Sequence, residues 1–294
     1  MSIKNKYSKI LIVTMILCQL IFASYDMRIH KTDDSVARIE VSDIVDMTFQ
    51  DGTSGKEIVI KRTSASDYVC ATTDIDSITF QETGTVTDLD KNTYKTIKIG
   101  DQWWMAENLK VTQYNDKTAI PNITDNDTWE GLSSGAYCAY EDNGSNVATY
   151  GYLYNWYAVE TGELAPTGWH VPTDEEWKEL EMALGMSQSE ADNSGERGTN
   201  EGSKLAGRAD LWYDGDLEND SEFGSSGFAG LPAGYRDGSG AFYLITAVAY
   251  FWSASEEFLT DYAWYRGLYC SNSDVYRSNY NSKQYGFSVR CVRD

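Results

Sequence analysis

Apolar and polar residues alternate with a period of two over residues 27–50 and again over 58–81, the pattern of strands with one buried face. The first stretch reads MRIHKTDDSVARIEVSDIVDMTFQ and the second IVIKRTSASDYVCATTDIDSITFQ. At an offset of 31, Ile29 aligns with Ile60, Thr32 with Thr63, Asp43-Ile44 with Asp74-Ile75, and Thr48-Phe49-Gln50 with Thr79-Phe80-Gln81. Such self-similarity predicts two copies of one β-unit within residues 24–83, with a turn at Asp51-Gly52.

A different organisation begins at residue 84. Residues 84–110 read as a hairpin, with a turn at Asp90-Lys91-Asn92 and strands ending at Ile97 and Ile99. Tyr150, Leu153, Trp156 and Tyr157 fall at helical spacing and predict an aromatic helix ending near Gly162. A second helix is expected after Pro172, because Thr173 and Glu176 have the spacing of a capping box. Trp177, Leu180 and Leu184 would line its buried face, and Gly185 would end it. The polar stretch 187–203 reads as a surface loop. Short strands are then expected at 242–245, 250–253, 263–270 and 287–292, with glycine turns between them. Two helices followed by antiparallel strands make the class of the 84–294 domain α+β.

Residues 1–23 read as a cleavable export signal. Lys4, Lys6 and Lys9 precede an apolar run over 10–22 that only Thr14 and Gln19 interrupt, and Ala23-Ser24 offers small residues for cleavage. The run is short of the roughly 20 residues a spanning helix needs. The expected location is therefore extracellular, cell-surface or periplasmic, without membrane insertion after cleavage. Acylation at Cys18 is a lesser alternative, disfavoured by the bulk of Leu17. The formal charge of −21 would repel nucleic acid and anionic lipid. Nine Trp, 21 Tyr and 9 Phe supply a core that needs no metal or dense disulfide framework.

Six segments carry a family resemblance: GDQWWMAENLK (100–110), YGYLYNWYAV (150–159), PTGWHVPTDEEW (166–177), GFAGLPAGYRDGSG (227–240), YFWSASE (250–256) and YGFSVRCVRD (285–294). Together, over residues 84–294, they resemble the Fibrobacter succinogenes major paralogous domain family. That resemblance implies a C-type-lectin-like fold, related to formylglycine-generating enzymes and to retroelement-diversified binding proteins. It implies no general activity. The two preceding units resemble short β-repeats of exported Bacteroidetes proteins, for which a spacer or adhesion role is expected. Where the family usually has Cys before Pro-Thr-Gly-Trp-His, this chain has Ala165, so Cys291 would lack that partner.

Four cysteines follow the expected cleavage site: Cys70, Cys138, Cys270 and Cys291. Export permits bridges among them, and one bridge with two free thiols fits as well. Cys270 and Cys291, on strands whose apolar sides both face inward, are the candidate pair, ahead of Cys138–Cys291. No cofactor is implied. His30 and His170 lie in different domains, and no Cys/His cluster has zinc spacing. Asp88, Asp90 and Asn92 read as a turn rather than a calcium loop, although the acidic loops leave room for an irregular calcium site. His170 reads as a packed imidazole rather than a base, so catalysis is not expected.

Residues 262–285 combine tyrosines with Ser, Asn and Arg, the composition of adaptable recognition surfaces. Alternation places Trp264, Arg266, Leu268 and Cys270 on one side of a strand and Tyr265, Gly267 and Tyr269 on the other. The expected exposed recognition face therefore comprises Tyr265 and Tyr269 with Asn272, Tyr276, Arg277, Asn279 and Tyr280 from a following loop. Its expected partner is a glycan or a protein at the cell surface. A structural envelope role is the alternative, and carbohydrate-active enzymology the third.

Overall fold

The computed structural model describes residues 24–33, 35–52, 55–257 and 261–294; the expected leader and Cys18 lie outside them. The chain divides into two units, one ending at Gly84 and the other beginning at Thr85.

In the first unit the order strand, strand, 3₁₀ turn, strand occurs twice. The first copy is β1 (Ser24–Lys31), β2 (Val36–Glu40), the turn Val41–Asp43 and β3 (Ile44–Gly52). The second is β4 (Gly55–Arg62), β5 (Tyr68–Ala71), the turn Thr72–Asp74 and β6 (Ile75–Thr87). The copies exchange their last strands: β6 pairs with β1, beside β2, while β3 pairs with β4, beside β5. Residues 31 apart consequently occupy equivalent places in the core. Met27 matches Ile58, Ile29 matches Ile60 and Ile39 matches Cys70, all buried. Each buried aliphatic side chain stabilises the unit by about 1.5–3 kcal/mol. The crossings are tied the same way twice, by the Thr63 N–H on the Asp43 carbonyl and the Thr32 N–H on the Asp74 carbonyl, both at 3.0 Å.

The second unit mixes mostly antiparallel sheets with few helices. Asp88 closes its first turn, accepting from the backbone N–H of Asn92 and from the Tyr94 hydroxyl at 2.6 Å. The hairpin β7 (Thr93–Ile99) and β8 (Gln102–Met105) follows, and Gly100 takes a left-handed φ of +59° between them. Next come α1 (Asn126–Glu130), β9 (Tyr137–Cys138) and α2 (Val147–Tyr150).

The expected aromatic helix is broken. At Gly151, φ is +75° and a Cβ would stand 2.8 Å from the Leu109 carbonyl, so the chain turns there. It enters β10 (Leu153–Tyr154), which pairs with β9. The Asn155 side chain then caps a new helix, α3 (Trp156–Val159). Tyr150, Leu153, Trp156 and Tyr157 thus belong to three elements rather than one.

After β11 (Trp169–His170), helix α4 (Asp174–Ala183) carries the expected capping box between Thr173 and Glu176, with Trp177 and Leu180 buried. The stretch 187–203 is not a plain surface loop. It forms α5 (Gln188–Ala191), β12 (Gly195–Arg197) and the start of α6 (Glu201–Leu205), and buries Arg197, Glu201 and Ser203. Its polar composition hid this, because the burial is satisfied by ion pairs and hydrogen bonds rather than apolar packing. Helix α7 (Asp216–Asn219) leads to the main sheet: β13 (Ala233–Arg236), β14 (Phe242–Ile245), β15 (Val248–Glu256), β16 (Tyr262–Tyr269) and β17 (Val275–Ser282), in the order β12-β17-β16-β15-β13-β14. Most of 287–292 is extended without a ladder, and only β18 (Val292–Arg293) pairs regularly, between β11 and β8.

Both faces of the main sheet carry a core, the second over part of its extent. One side packs Phe251 and Leu268 against Trp104, Trp177 and Phe228. The other packs Trp252 and Tyr265 against Tyr154, Trp156 and Phe287. Neighbouring residues of β15 and β16 therefore enter different cores, as the period of two requires. Among the described residues, no helix is long and apolar enough to cross a membrane.

Candidate binding face

The second face of the main sheet is covered at one end and open at the other. Register builds its open end. Tyr250 of β15 lies opposite Gly267 of β16, Gly267 lies opposite Tyr276 of β17, and Tyr276 lies opposite Glu196 of β12. Directly opposed residues of antiparallel strands share a face, so these four form one row across the sheet. Tyr235 and Tyr243, opposed on β13 and β14, extend the row beyond Tyr250.

The rings touch in sequence. Tyr235 stacks on Tyr243 at 5.5 Å and on Tyr285 at 6.2 Å, and meets Tyr250 at 5.1 Å. Tyr250 meets Tyr269 edge-on at 5.8 Å with their hydroxyls 2.7 Å apart, and Tyr269 meets Tyr276 at 5.6 Å. Gly267 makes this possible, since a Cβ there would stand 2.9 Å from the Tyr250 ring. Tyr250 therefore lies down on the sheet as the floor of the array. Tyr243 is exposed, and Tyr235, Tyr269, Tyr276 and Tyr285 are half-buried. Burial raises the pKa of Tyr235, Tyr250, Tyr269 and Tyr285, with neighbouring tyrosines adding to it. All four keep their protons at neutral pH and can donate hydrogen bonds.

The seven residues expected to form the recognition face are placed unequally. Tyr269 and Tyr276 belong to the array, Tyr269 on the side that alternation predicted. Tyr265 is on that side too, but it is 4% exposed, sealed beneath Tyr250, Tyr276 and Phe287. Its expected exposure is corrected: β16 is an interior strand, and its second face is already covered at Tyr265. Residues 275–282 form a strand rather than the expected loop. That turns Arg277 to the opposite face, where it is buried and contributes nothing to a recognition surface. Asn272 is half-buried in the turn between β16 and β17, its N–H on the Tyr269 carbonyl. Asn279 donates to Glu257. Between Ala263 and Tyr265 the β16–β17 register slips, and Tyr280 stands out from that irregularity at 79% exposure. Sequence reasoning missed Tyr235, Tyr243, Tyr250 and Tyr285. Their alternating neighbours were visible, but the strand order that gathers them was not.

Behind the sheet, Arg277 and Arg266 hold helix α4. Asp174, in the first turn of α4, accepts from Arg266 at 2.7 Å and from Arg277 at 2.6 Å. Two turns on, Glu181 accepts from Arg266 at 2.7 Å and pairs with Arg197 at 2.9 Å. Burial alone would raise the Asp174 pKa, but hydrogen bonds from Arg277 and the charge of Arg266 outweigh it and bring it to about 2.

The model of one protein family, the Fibrobacter succinogenes major domain, matches residues 97–293. The chain belongs to that family. No curated protein and no solved structure matches it.

Within the Fibrobacter succinogenes major domain of this chain, two arginines are buried props. Arg236 donates to the Gly240 carbonyl at 2.8 Å and to Asn126 at 2.9 Å, and lies 4.3 Å above the Trp129 ring. Arg290 donates to Asn108 at 2.7 Å and to the Met105 and Ala229 carbonyls; burial pulls its pKa down to about 9. Among the described residues, Cys70, Cys138, Cys270 and Cys291 are all free. The candidate Cys270–Cys291 bridge is not formed, because Cys291 sits in the tyrosine-side core and Cys270 packs against the other. Ala165 shares the Cys291 core. His170 lies between Asp294 and Glu176, each at 2.7 Å. Partial burial would lower its pKa, but the two carboxylates raise it. The Asp90 carboxylate is occupied by Thr112 and Gln113, which accounts for its place in a turn. Among the described residues, no group of three or more His, Cys, Asp or Glu is placed to hold a metal.

Proposed function

We propose that this chain is an exported recognition module of the cell surface or periplasm, with a C-type-lectin-like domain that binds a glycan or a protein through its open tyrosine face. The carrying observation is the continuous ring array from Tyr243 through Tyr235, Tyr250 and Tyr269 to Tyr276. Tyrosine offers a large contact area at little entropy cost, and rings already held by their neighbours lose still less on binding. The proposed surface differs from the 262–285 segment alone, because three of these five rings come from β13, β14 and β15.

The test compares the unaltered chain with Tyr235→Ala and Tyr269→Ala on an immobilised glycan array and on whole cells of the source. Both variants should lose about tenfold or more in affinity while Tyr280→Ala retains it, as expected when few residues carry most of the energy. Equal binding by all three variants would overturn the tyrosine face as the site.

A further inference from the structure

We infer that the tyrosine face takes an uncharged glycan, with sugar ring faces on the tyrosine rings and sugar hydroxyls shared between tyrosine hydroxyls and the carboxylate of Glu196. This inference rests on the reading of that face as the recognition surface, and names its ligand class.

Three observations favour a neutral sugar. The first is the charge around the array. Glu196 is exposed and opposite Tyr276 in register, and Asp237 follows Tyr235 and Arg236 at the end of β13. Among the described residues, none of the cation–ring contacts falls on a member of the array; those of Arg236, Arg266, Arg277 and Arg290 are made inside the fold. A uronate, sulfated or phosphorylated polymer would meet carboxylates on a chain of net charge −21 without a guanidinium to pair it.

The second is the balance of hydrogen-bonding groups. A carboxylate only accepts, and a protonated tyrosine both donates and accepts. A ligand rich in hydroxyls satisfies both at once. A protein surface more often supplies Arg and apolar anchors to a matching pocket.

The third is relief. Because Gly267 lets Tyr250 lie flat, the array has a low floor between Tyr235 on one side and Tyr269 with Tyr276 on the other. All of these are aromatic bodies with polar tips, which suits a ligand that alternates C–H faces with hydroxyl edges.

The experiment is affinity electrophoresis of the full mature chain through native gels. The gels contain mixed-linkage β-glucan, galactomannan, xylan or dextran as neutral polymers, and polygalacturonate as the charged one. Retardation is expected in at least one neutral gel and not in polygalacturonate. Glu196→Gln and Tyr269→Phe leave the packing in place, and each should weaken retardation several-fold; Tyr269→Ala should weaken it about tenfold or more, and Tyr280→Ala should not. Retardation by polygalacturonate alone, or by none of the neutral polymers, overturns the glycan inference and leaves the recognition reading to its own test on whole cells. Retardation in a neutral gel that none of the array variants alters overturns both.

Discussion

Arg277 lies flat against Trp264, its guanidinium carbon 3.8 Å from the ring centroid, and from that position reaches both oxygens of Asp174. An arginine in a tyrosine- and serine-rich stretch thus works as an interior strut. Removing one partner of a buried ion pair strands the other, at about 3–5 kcal/mol. Arg277→Ala should lower the urea midpoint accordingly. Arg277→Lys should recover only part of the loss, because an ammonium cannot stack on the indole and bridge two oxygens together. An unchanged midpoint for Arg277→Ala would refute this role.

The same carboxylate sets a limit in acid. The Asp174 pKa is depressed from 3.8 to about 2, so its stabilising contribution is present above the unfolded value and is lost as pH falls from about 4 through 2. The full effect is roughly 2 kcal/mol. Urea midpoints between pH 5 and 2 should show that loss in the unaltered chain and a shallower one in Asp174→Asn. Parallel curves would mean that Asp174 is not the titrating group.

Tyr265 and Tyr280 should part company. Truncating a sealed aromatic costs about 3–5 kcal/mol, whereas an exposed substitution usually falls within about ±0.5 kcal/mol. Tyr265→Ala should therefore lower the melting temperature of the second unit strongly, and Tyr280→Ala should leave it in place. Equal shifts would contradict the burial of Tyr265.

Thiol labelling should follow burial. Burial pushes the Cys138 thiol up to about 12 and raises Cys291 as well, and only the thiolate reacts. In the native chain, half-buried Cys270 should label first with Ellman's reagent, while Cys138 and Cys291 wait for denaturant. Peptide mapping that links Cys270 to Cys291 in the native protein would contradict the free assignment.

Local rules that need only a few residues were legible beforehand. The Thr173–Glu176 capping box and the two sides of β16 follow from spacing within one element, and the 31-residue repeat and the family segments from the sequence of short stretches. What was not legible depends on partners far along the chain. Strand β17 reads VYRSNYNS, without an apolar stripe, because its inward Arg277 is neutralised by Asp174, about a hundred residues away. The helix expected over Tyr150 to Tyr157 shows the converse. Its spacing was helical, but Gly151 and Asn155 each impose a local conformation that overrides spacing. The candidate site was half visible for the same reason: Tyr269 and Tyr276 lay in the conspicuous segment, whereas Tyr235, Tyr243 and Tyr250 join them only through the order of the sheet.

The crossed strands of the first unit have a consequence for how it could assemble. Because β3 pairs with β4 beside β5, and β6 pairs with β1 beside β2, neither copy of the repeat is complete by itself. A peptide holding one copy would find its missing strand only on a second molecule, and would pair with it about a twofold axis. Joining the copies in one chain supplies that second molecule at a high effective concentration, so the unit amounts to a dimer folded from a single polypeptide. Shortening the link between β3 and β4, so that their hairpin could no longer close within one chain, is the change that would lead the two halves to pair between chains.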